Sequence, residues 1–147
     1  MSLRLSLSEG NRLLWDFPLD TSQWLEGEGE LFKRESEGLE GDIDALCAIC
    51  DFYSNKKRLK MVNHILTECR NQASFTDLLR VAVNPKYVSD LVNKAPGGGL
   101  VVKEGHEYRM SPTGLGSFLL LSLATRKLLN TLDSISSRNK SFEEAEV

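Results

Sequence analysis

The chain lacks the features that mark membrane and secreted proteins. Its longest apolar run, Phe118–Ala124, is far shorter than the ~20 residues that a membrane span needs. The N-terminus has no charged segment followed by an apolar block, because Leu3, Leu5 and Leu7 alternate with polar residues, and no secretory signal is expected. We therefore expect a cytoplasmic protein without a membrane partner.

Cysteine is scarce, and the three residues present are too few and odd in number for a disulfide framework. Cys47 and Cys50 lie three positions apart on one predicted helix face, and with Cys69 they leave a redox or metal role open. Burial as small hydrophobic side chains is favoured, since cysteine is often buried and no second Cys/His pair has zinc-site spacing.

Catalytic signatures are also missing. The glycine-rich segment 96–99 lacks the lysine and hydroxyl residue of a phosphate-binding loop, and it precedes a predicted strand instead of a helix. With only two histidines, a nucleophile paired with a base has little support. We expect no enzymatic activity, no metal and no cofactor.

The net charge of −3 conceals an uneven distribution of charge along the chain. Residues 1–53 carry four basic and twelve acidic side chains, whereas residues 54–109 carry ten basic and five acidic ones. A local basic surface is what contacts with nucleic-acid phosphates require, whatever the total charge. Solvated helix faces produce the same imbalance, so charge alone leaves both interpretations open.

Residues 1–41 predict an acidic N-terminal arm. The acidic run from Glu26 to Glu40 shows no sustained helical period. The alternating leucines at the start indicate a short strand, for which Leu31–Lys33 is a candidate partner. Exposed aromatic rings are costly, so we expect the arm to be anchored to the rest of the protein by Trp15, Phe17 and Trp24.

Four helices are predicted after the arm. Apolar residues at spacings of three and four indicate a first helix from Asp42 to Tyr53 and a second from Lys56 to Cys69. Ser74 followed by Asp77 is typical of a helix start, and so is Asn84 followed by Pro85. The third helix therefore has only about two turns before the fourth helix begins. The fourth helix extends to about Lys94 and is stopped by residues 96–99.

A hairpin and a last helix complete the pattern. Leu100–Lys103 and Glu107–Met110 are β-prone runs that flank a glycine-containing turn. Ser111 and Pro112 then open a long C-terminal helix whose apolar positions continue to Ile135. We expect a mainly α protein with a small β-hairpin, organised as an arm over residues 1–41, a domain over residues 42–136 and a polar tail over residues 137–147.

This order of elements is that of a winged helix-turn-helix domain. Ser74–Leu132 resembles the winged helix-turn-helix regulators that are common in archaea and related to the ArsR and MarR groups. The best match is the hairpin, where Gly99-Leu100-Val101 and Tyr108-Arg109-Met110-Ser111-Pro112-Thr113-Gly114 are similar to the family pattern. Lys57-Arg58-Leu59 through Ile65-Leu66 is similar to the helix that opens these domains. The resemblance does not account for the arm.

The resemblance implies a transcriptional regulator whose recognition helix, Asn84–Lys94, enters the major groove of double-stranded DNA. Its candidate base or phosphate contacts are Lys86, Tyr87, Ser89, Asp90, Asn93 and Lys94. Further contacts with the phosphates are expected from the hairpin and the start of the second helix, through Lys103, His106, Arg109, Lys56 and Lys57. Asp90 argues against DNA, because phosphate repels a carboxylate unless it accepts a hydrogen bond from cytosine N4. Each of these charges is otherwise a solvated surface residue.

The last helix carries a second pattern. Apolar positions alternate spacings of three and four, as in a coiled-coil seam, at Phe118, Leu121, Thr125, Leu128, Leu132 and Ile135. This apolar helix face predicts that two copies of the chain form a homodimer. Packing of the face inside one chain is the alternative. A winged-helix module that binds a partner protein and not DNA is the second hypothesis for function. The operator, the regulated genes and any small-molecule effector stay open.

Overall fold

The computed structural model describes residues 3–95 and 99–145, and it is mainly helical with two small antiparallel sheets and a long C-terminal helix. The predicted helix stop at residues 96–98 and the last two residues of the predicted tail lie outside the described residues. The chain divides into two units, Met1–Asp44 and Ala45–Val147. No helix of the described ranges is long and apolar enough to cross a membrane.

The first unit opens with a β-hairpin of β1 (Arg4–Glu9) and β2 (Arg12–Pro18). Gly10 lies in the two-residue turn with a φ of 58°, a left-handed conformation that glycine adopts without a steric penalty. The guanidinium of Arg4 pairs with the carboxylate of Asp16 across the strands at 2.7 Å. The prediction that Leu31–Lys33 pairs with the first strand is wrong, because β2 is its partner and residues 31–33 are helical.

The helix α1 (Glu26–Tyr53) begins in the first unit and ends in the second. The prediction of a non-helical arm is therefore wrong from Glu26 onward. Apolar residues recur every seven positions, at Phe32, Leu39 and Leu46, and this spacing places them along one helix face. The spacing supports a helix despite interior glycines, each of which costs about 1 kcal/mol relative to alanine.

An aromatic cluster joins the hairpin to the beginning of α1. The ring of Phe17 lies 5.3 Å from that of Trp15, 5.5 Å from that of Trp24 and 6.3 Å from that of Phe32. The indole N–H of Trp24 donates to the carbonyl oxygen of Pro18 at 2.8 Å. The three aromatic residues that were predicted to anchor the arm thus pack on one another and on Phe32, inside the first unit.

The second unit contains the remaining elements. They are α2 (Lys56–Thr67), β3 (Ala73–Ser74), α3 (Phe75–Ala82), α4 (Pro85–Asn93), β4 (Val101–Glu104), β5 (Glu107–Met110), α5 (Pro112–Phe118) and α6 (Thr125–Ala145). The three strands form an antiparallel sheet in the order β3-β5-β4. A π-helical turn, Leu119–Ala124, connects α5 to α6. The C-terminal helix extends beyond its last predicted apolar position, Ile135, because α6 continues to Ala145 and the residues of the predicted polar tail are helical as far as Ala145.

Side chains from the helices and from the β4–β5 hairpin form the core of the second unit. Its largest fully buried side chains are Phe52, Met61, Ile65, Leu78, Leu91, Val62, Val88 and Val101. Cys47 and Cys50, which were expected to be buried, are exposed, whereas Cys69 is half-buried. Phe52 and Tyr53 are the buried residues of α1, so its apolar pattern overstated how much of this helix faces the core.

Candidate nucleic-acid interface

Capping side chains define where α3 and α4 begin. Ser74 Oγ accepts a hydrogen bond from the amide of Asp77 at 3.1 Å, and the Asp77 carboxylate accepts one from the amide of Ser74 at 2.9 Å. The hydrogen bond from the Ser74 backbone lowers the pKa of Asp77 below its ordinary value. Asn84 Oδ1 accepts from the amide of Lys86 at 2.9 Å, with Pro85 at the first turn. Both predicted helix starts are confirmed.

The turn between α3 and α4 consists of Val83 and Asn84 alone. The amide of Val83 donates to the carbonyl oxygen of Leu79 at 2.8 Å, and its φ is 68°. A positive φ is strained for a β-branched residue, because its side chain crowds the backbone. Val83 is also 76% exposed. An exposed, strained residue therefore separates the two helices, a feature that the sequence pattern did not reveal.

The helix α4 has one buried face and one polar face. Val88 and Leu91 are completely buried, while Val92 and Ala95 pack partly against the core. The predicted inward face is thus confirmed. Asp90 is half-buried, and the other predicted contact residues of this helix are exposed: Lys86, Tyr87, Ser89, Asn93 and Lys94.

The β4–β5 hairpin adjoins α4, because α4 packs against β4. The ammonium group of Lys103 lies 5.5 Å from the centre of the Tyr108 ring, a cation–π distance. His106 is exposed at the tip beside Gly105, whose φ is 60°. The guanidinium of Arg109 donates to the carboxylate of Glu104, and this contact lowers the pKa of Glu104 and raises that of Arg109. Arg109 therefore already has a carboxylate partner. Exposed ion pairs contribute little to stability, so this pair can be broken at little cost.

The start of α2 contributes two of the predicted cations, and α2 packs against both α3 and α4. Lys56 is exposed and Lys57 is half-buried. Arg58 has a structural role instead, because its Nε donates to the carbonyl oxygen of Phe52 at 2.8 Å and its guanidinium lies over the Phe52 ring. Arg58 thus ties the end of α1 to the start of α2.

The electrostatics of these elements suit contact with an anion. Among residues 3–95 and 99–145, the ion pairs are Arg4–Asp16 and Glu104–Arg109, so Lys56, Lys86 and Lys103 are not neutralised by a carboxylate partner. The same described residues contain no group of three His, Cys, Asp or Glu side chains that is arranged to hold a metal ion. Exposed lysines on three neighbouring elements can contact phosphate groups without a metal.

The predicted dimer seam is altered by the π-helical turn. Phe118 is 4% exposed and its ring packs on Tyr53 in the core of its own chain, so it is not available to a second subunit. Leu121, Thr125 and Leu132 are exposed, whereas Leu128 and Ile135 are half-buried. The π-helical turn winds more residues per turn than an α-helix. The residues before and after it therefore do not form one uninterrupted coiled-coil seam.

Asn71, which no sequence pattern singled out, supports the hairpin with its side chain. Its Oδ1 accepts from the amide of Met110 at 2.6 Å, and its Nδ2 donates to the carbonyl oxygen of Met110 at 3.2 Å. Asn71 has a φ of 61°, which asparagine tolerates better than most residues. In the sequence, the run of polar residues Arg70–Gln72 after α2 was the signal that could have drawn attention to Asn71.

No protein-family model, curated protein or solved structure matches this chain. Support for a function therefore comes from the chain's own residues and geometry.

Proposed function

We propose that residues 42–136 contain a winged helix-turn-helix domain of the ArsR/MarR type, and that the protein is a sequence-specific transcriptional regulator. In this proposal α3 and α4 are the helix-turn-helix pair, α4 is the recognition helix and the β4–β5 hairpin is the wing. Double-stranded DNA is the partner. The recognition helix enters the major groove and the wing lies along the phosphate backbone.

The observation that carries this proposal is the α3–α4 pair. Two residues join the helices, and the second helix buries Val88 and Leu91 while its exposed side carries Lys86 and Asn93. Asparagine can form paired hydrogen bonds with adenine, and lysine can donate to guanine, so both residue types read base edges. Lys103 on the adjoining hairpin, which has no carboxylate partner, would supply an affinity that does not depend on sequence.

We propose further that the active form is a homodimer. Exposed leucines extend from α5 through the π-helical turn into α6, at Leu115, Leu119, Leu120, Leu121, Leu123, Leu129 and Leu132. Seven exposed leucines within residues 115–132 exceed the scattered apolar side chains that are usual on a protein surface, and they favour a protein interface there. Dimerisation also suits a DNA site with two symmetric halves. Sedimentation velocity measures the assembly directly, and a protein that stays monomeric at high concentration would contradict this part of the proposal.

Selection of duplexes from a random pool tests the proposal as a whole. The full chain should enrich a defined site at low salt. Replacing Lys86 and Asn93 together by alanine should weaken that site by about 1–3 kcal/mol for each lost base contact, with a smaller effect on random DNA. Folding should be unchanged, because neither side chain belongs to the buried face of α4.

A matched control replaces two exposed polar residues elsewhere in the second unit, Asn130 and Lys127, by alanine. These residues lie on α6, outside the proposed DNA-binding elements, and the double variant should bind the selected site like the wild type. Failure to enrich any site would favour the second candidate, a winged-helix module that docks a partner protein. The engaged state of Arg109 and the half-buried carboxylate of Asp90 favour that candidate.

A further inference from the structure

A groove lies between α2 and the π-helical turn, and its lining residue Lys60 follows the proposed DNA contact Lys56 by one turn of α2. Its volume is about 450 Å³, within the range of sites that hold small molecules. The apolar part of its lining includes Leu59, Phe118, Leu121 and Leu123. π-helical turns often occur at functional sites, because they redirect side chains from the regular α-helical positions.

Charge in this groove has one sign. Lys60 from α2 and Arg126 from α6 both line it, and no lining residue is a carboxylate. Within the described part of the chain, neither cation forms an ion pair. Asn63 adds a hydrogen-bonding amide. The hydroxyl of Tyr53 is already used, since it donates to the carbonyl oxygen of Gly114 at 2.8 Å.

We propose that this groove binds a small amphipathic anion, with an apolar body against Leu59, Phe118 and Leu121 and an acidic group held by Lys60 and Arg126. An apolar wall favours removal of hydrocarbon from water. Two cations without a partner favour a carboxylate or a phosphate over a neutral or cationic head group. The inference concerns binding alone and stands whether or not the chain binds DNA.

Isothermal titration calorimetry of the full chain with octanoate tests the proposal without DNA. Octanoate should bind with a dissociation constant below about 1 mM, and 1-octanol and octyltrimethylammonium should each bind at least about tenfold more weakly. The double variant Lys60→Gln/Arg126→Gln should lose at least about tenfold in affinity for octanoate. Lys127→Gln makes the same kind of charge change beside Arg126, outside the groove, and should not alter binding.

A second pair of variants tests the location of the binding site. Leu123→Trp should fill part of the groove and weaken octanoate binding, while Ser136→Trp, at an exposed position of α6 outside both the groove and the proposed dimer surface, should have no effect. Equal binding of the three octyl compounds, or equal loss in both tryptophan variants, would overturn the proposal. Absence of octanoate binding to the wild-type chain would overturn it as well.

Discussion

Each fully buried hydrophobic side chain among the described residues belongs to the second unit, whereas Pro18 is the buried residue of the described part of the first unit. The second unit thus has the continuous core of an ordinary domain. The first unit depends on strand pairing, on the aromatic cluster around Phe17 and on the Arg4–Asp16 pair. An isolated two-stranded hairpin is marginally stable in water. The stability of the two units should therefore respond differently to mutation and to acid.

The chain offers separate signals for the two units. Both tryptophans, Trp15 and Trp24, lie in the first unit, so tryptophan fluorescence reports on it alone. Far-UV circular dichroism is dominated by the helices, most of which belong to the second unit. Denaturation that is followed by both signals can therefore distinguish the units.

The largest expected effect is that of Gly114→Ala on the second unit. A Cβ atom at this position would collide with the carbonyl oxygen of Leu100 and with the side chain of Met110. Overpacking against backbone should cost about 3 kcal/mol or more of unfolding free energy, measured by circular dichroism in urea. The matched control is Gly116→Ala on the same helix, where a Cβ meets nothing within 4 Å. Equal stability of the two variants would refute this packing.

A smaller effect is expected from Phe17→Ala in the first unit. Phe17 lies at the centre of the aromatic cluster and is half-buried. Its loss should lower the fluorescence-detected stability by about 2 kcal/mol, less than the loss for a completely buried phenylalanine. The transition followed by circular dichroism should hardly move. Leu13→Ala, at a position that is 55% exposed, serves as the control. A parallel shift of both transitions would show that the units unfold together.

The smallest effect is a dependence of the first unit on acid. The hydrogen bonds from Arg4 and then Ser6 hold the pKa of Asp16 below its ordinary value. The resulting stabilisation is present above the unfolded pKa of about 4 and is lost as the pH falls through the lower folded pKa. Asp16→Asn should remove this part of the fluorescence-detected pH dependence. An unchanged pH profile in the variant would exclude Asp16 as the responsible group.

The sequence predicted the middle of the chain well because its signals are local. Ser74 and Asn84 cap helices through side-chain contacts within three residues, and Gly105 marks the hairpin turn. The β1–β2 hairpin was missed although Gly10-Asn11 is a typical two-residue turn between alternating leucines. The beginning of α1 was missed because glycines at positions 27, 29, 38 and 41 are unfavourable in a helix interior and outweighed the seven-residue apolar spacing.

The remaining features depend on tertiary packing, which a local pattern does not contain. The π-helical turn leaves no distinct signal in an apolar run such as Phe118–Ala124. The groove beside it requires α2 and α6 to come together. The Glu104–Arg109 pair follows from strand register, and it changes the expected availability of a predicted DNA contact. Phe118 fitted a dimer seam by spacing, yet it lies in the core of its own chain.

The salt dependence of duplex binding tests the central claim most directly. Fluorescence anisotropy of a labelled duplex with the full chain gives the dissociation constant at each salt concentration. If Lys56, Lys86 and Lys103 each contact a phosphate, raising the salt from about 50 to about 200 mM should weaken binding by about 30-fold or more, because bound counterions are released. Tight binding that changes by less than about twofold, or no binding at the lowest salt, would contradict the proposed DNA-binding surface.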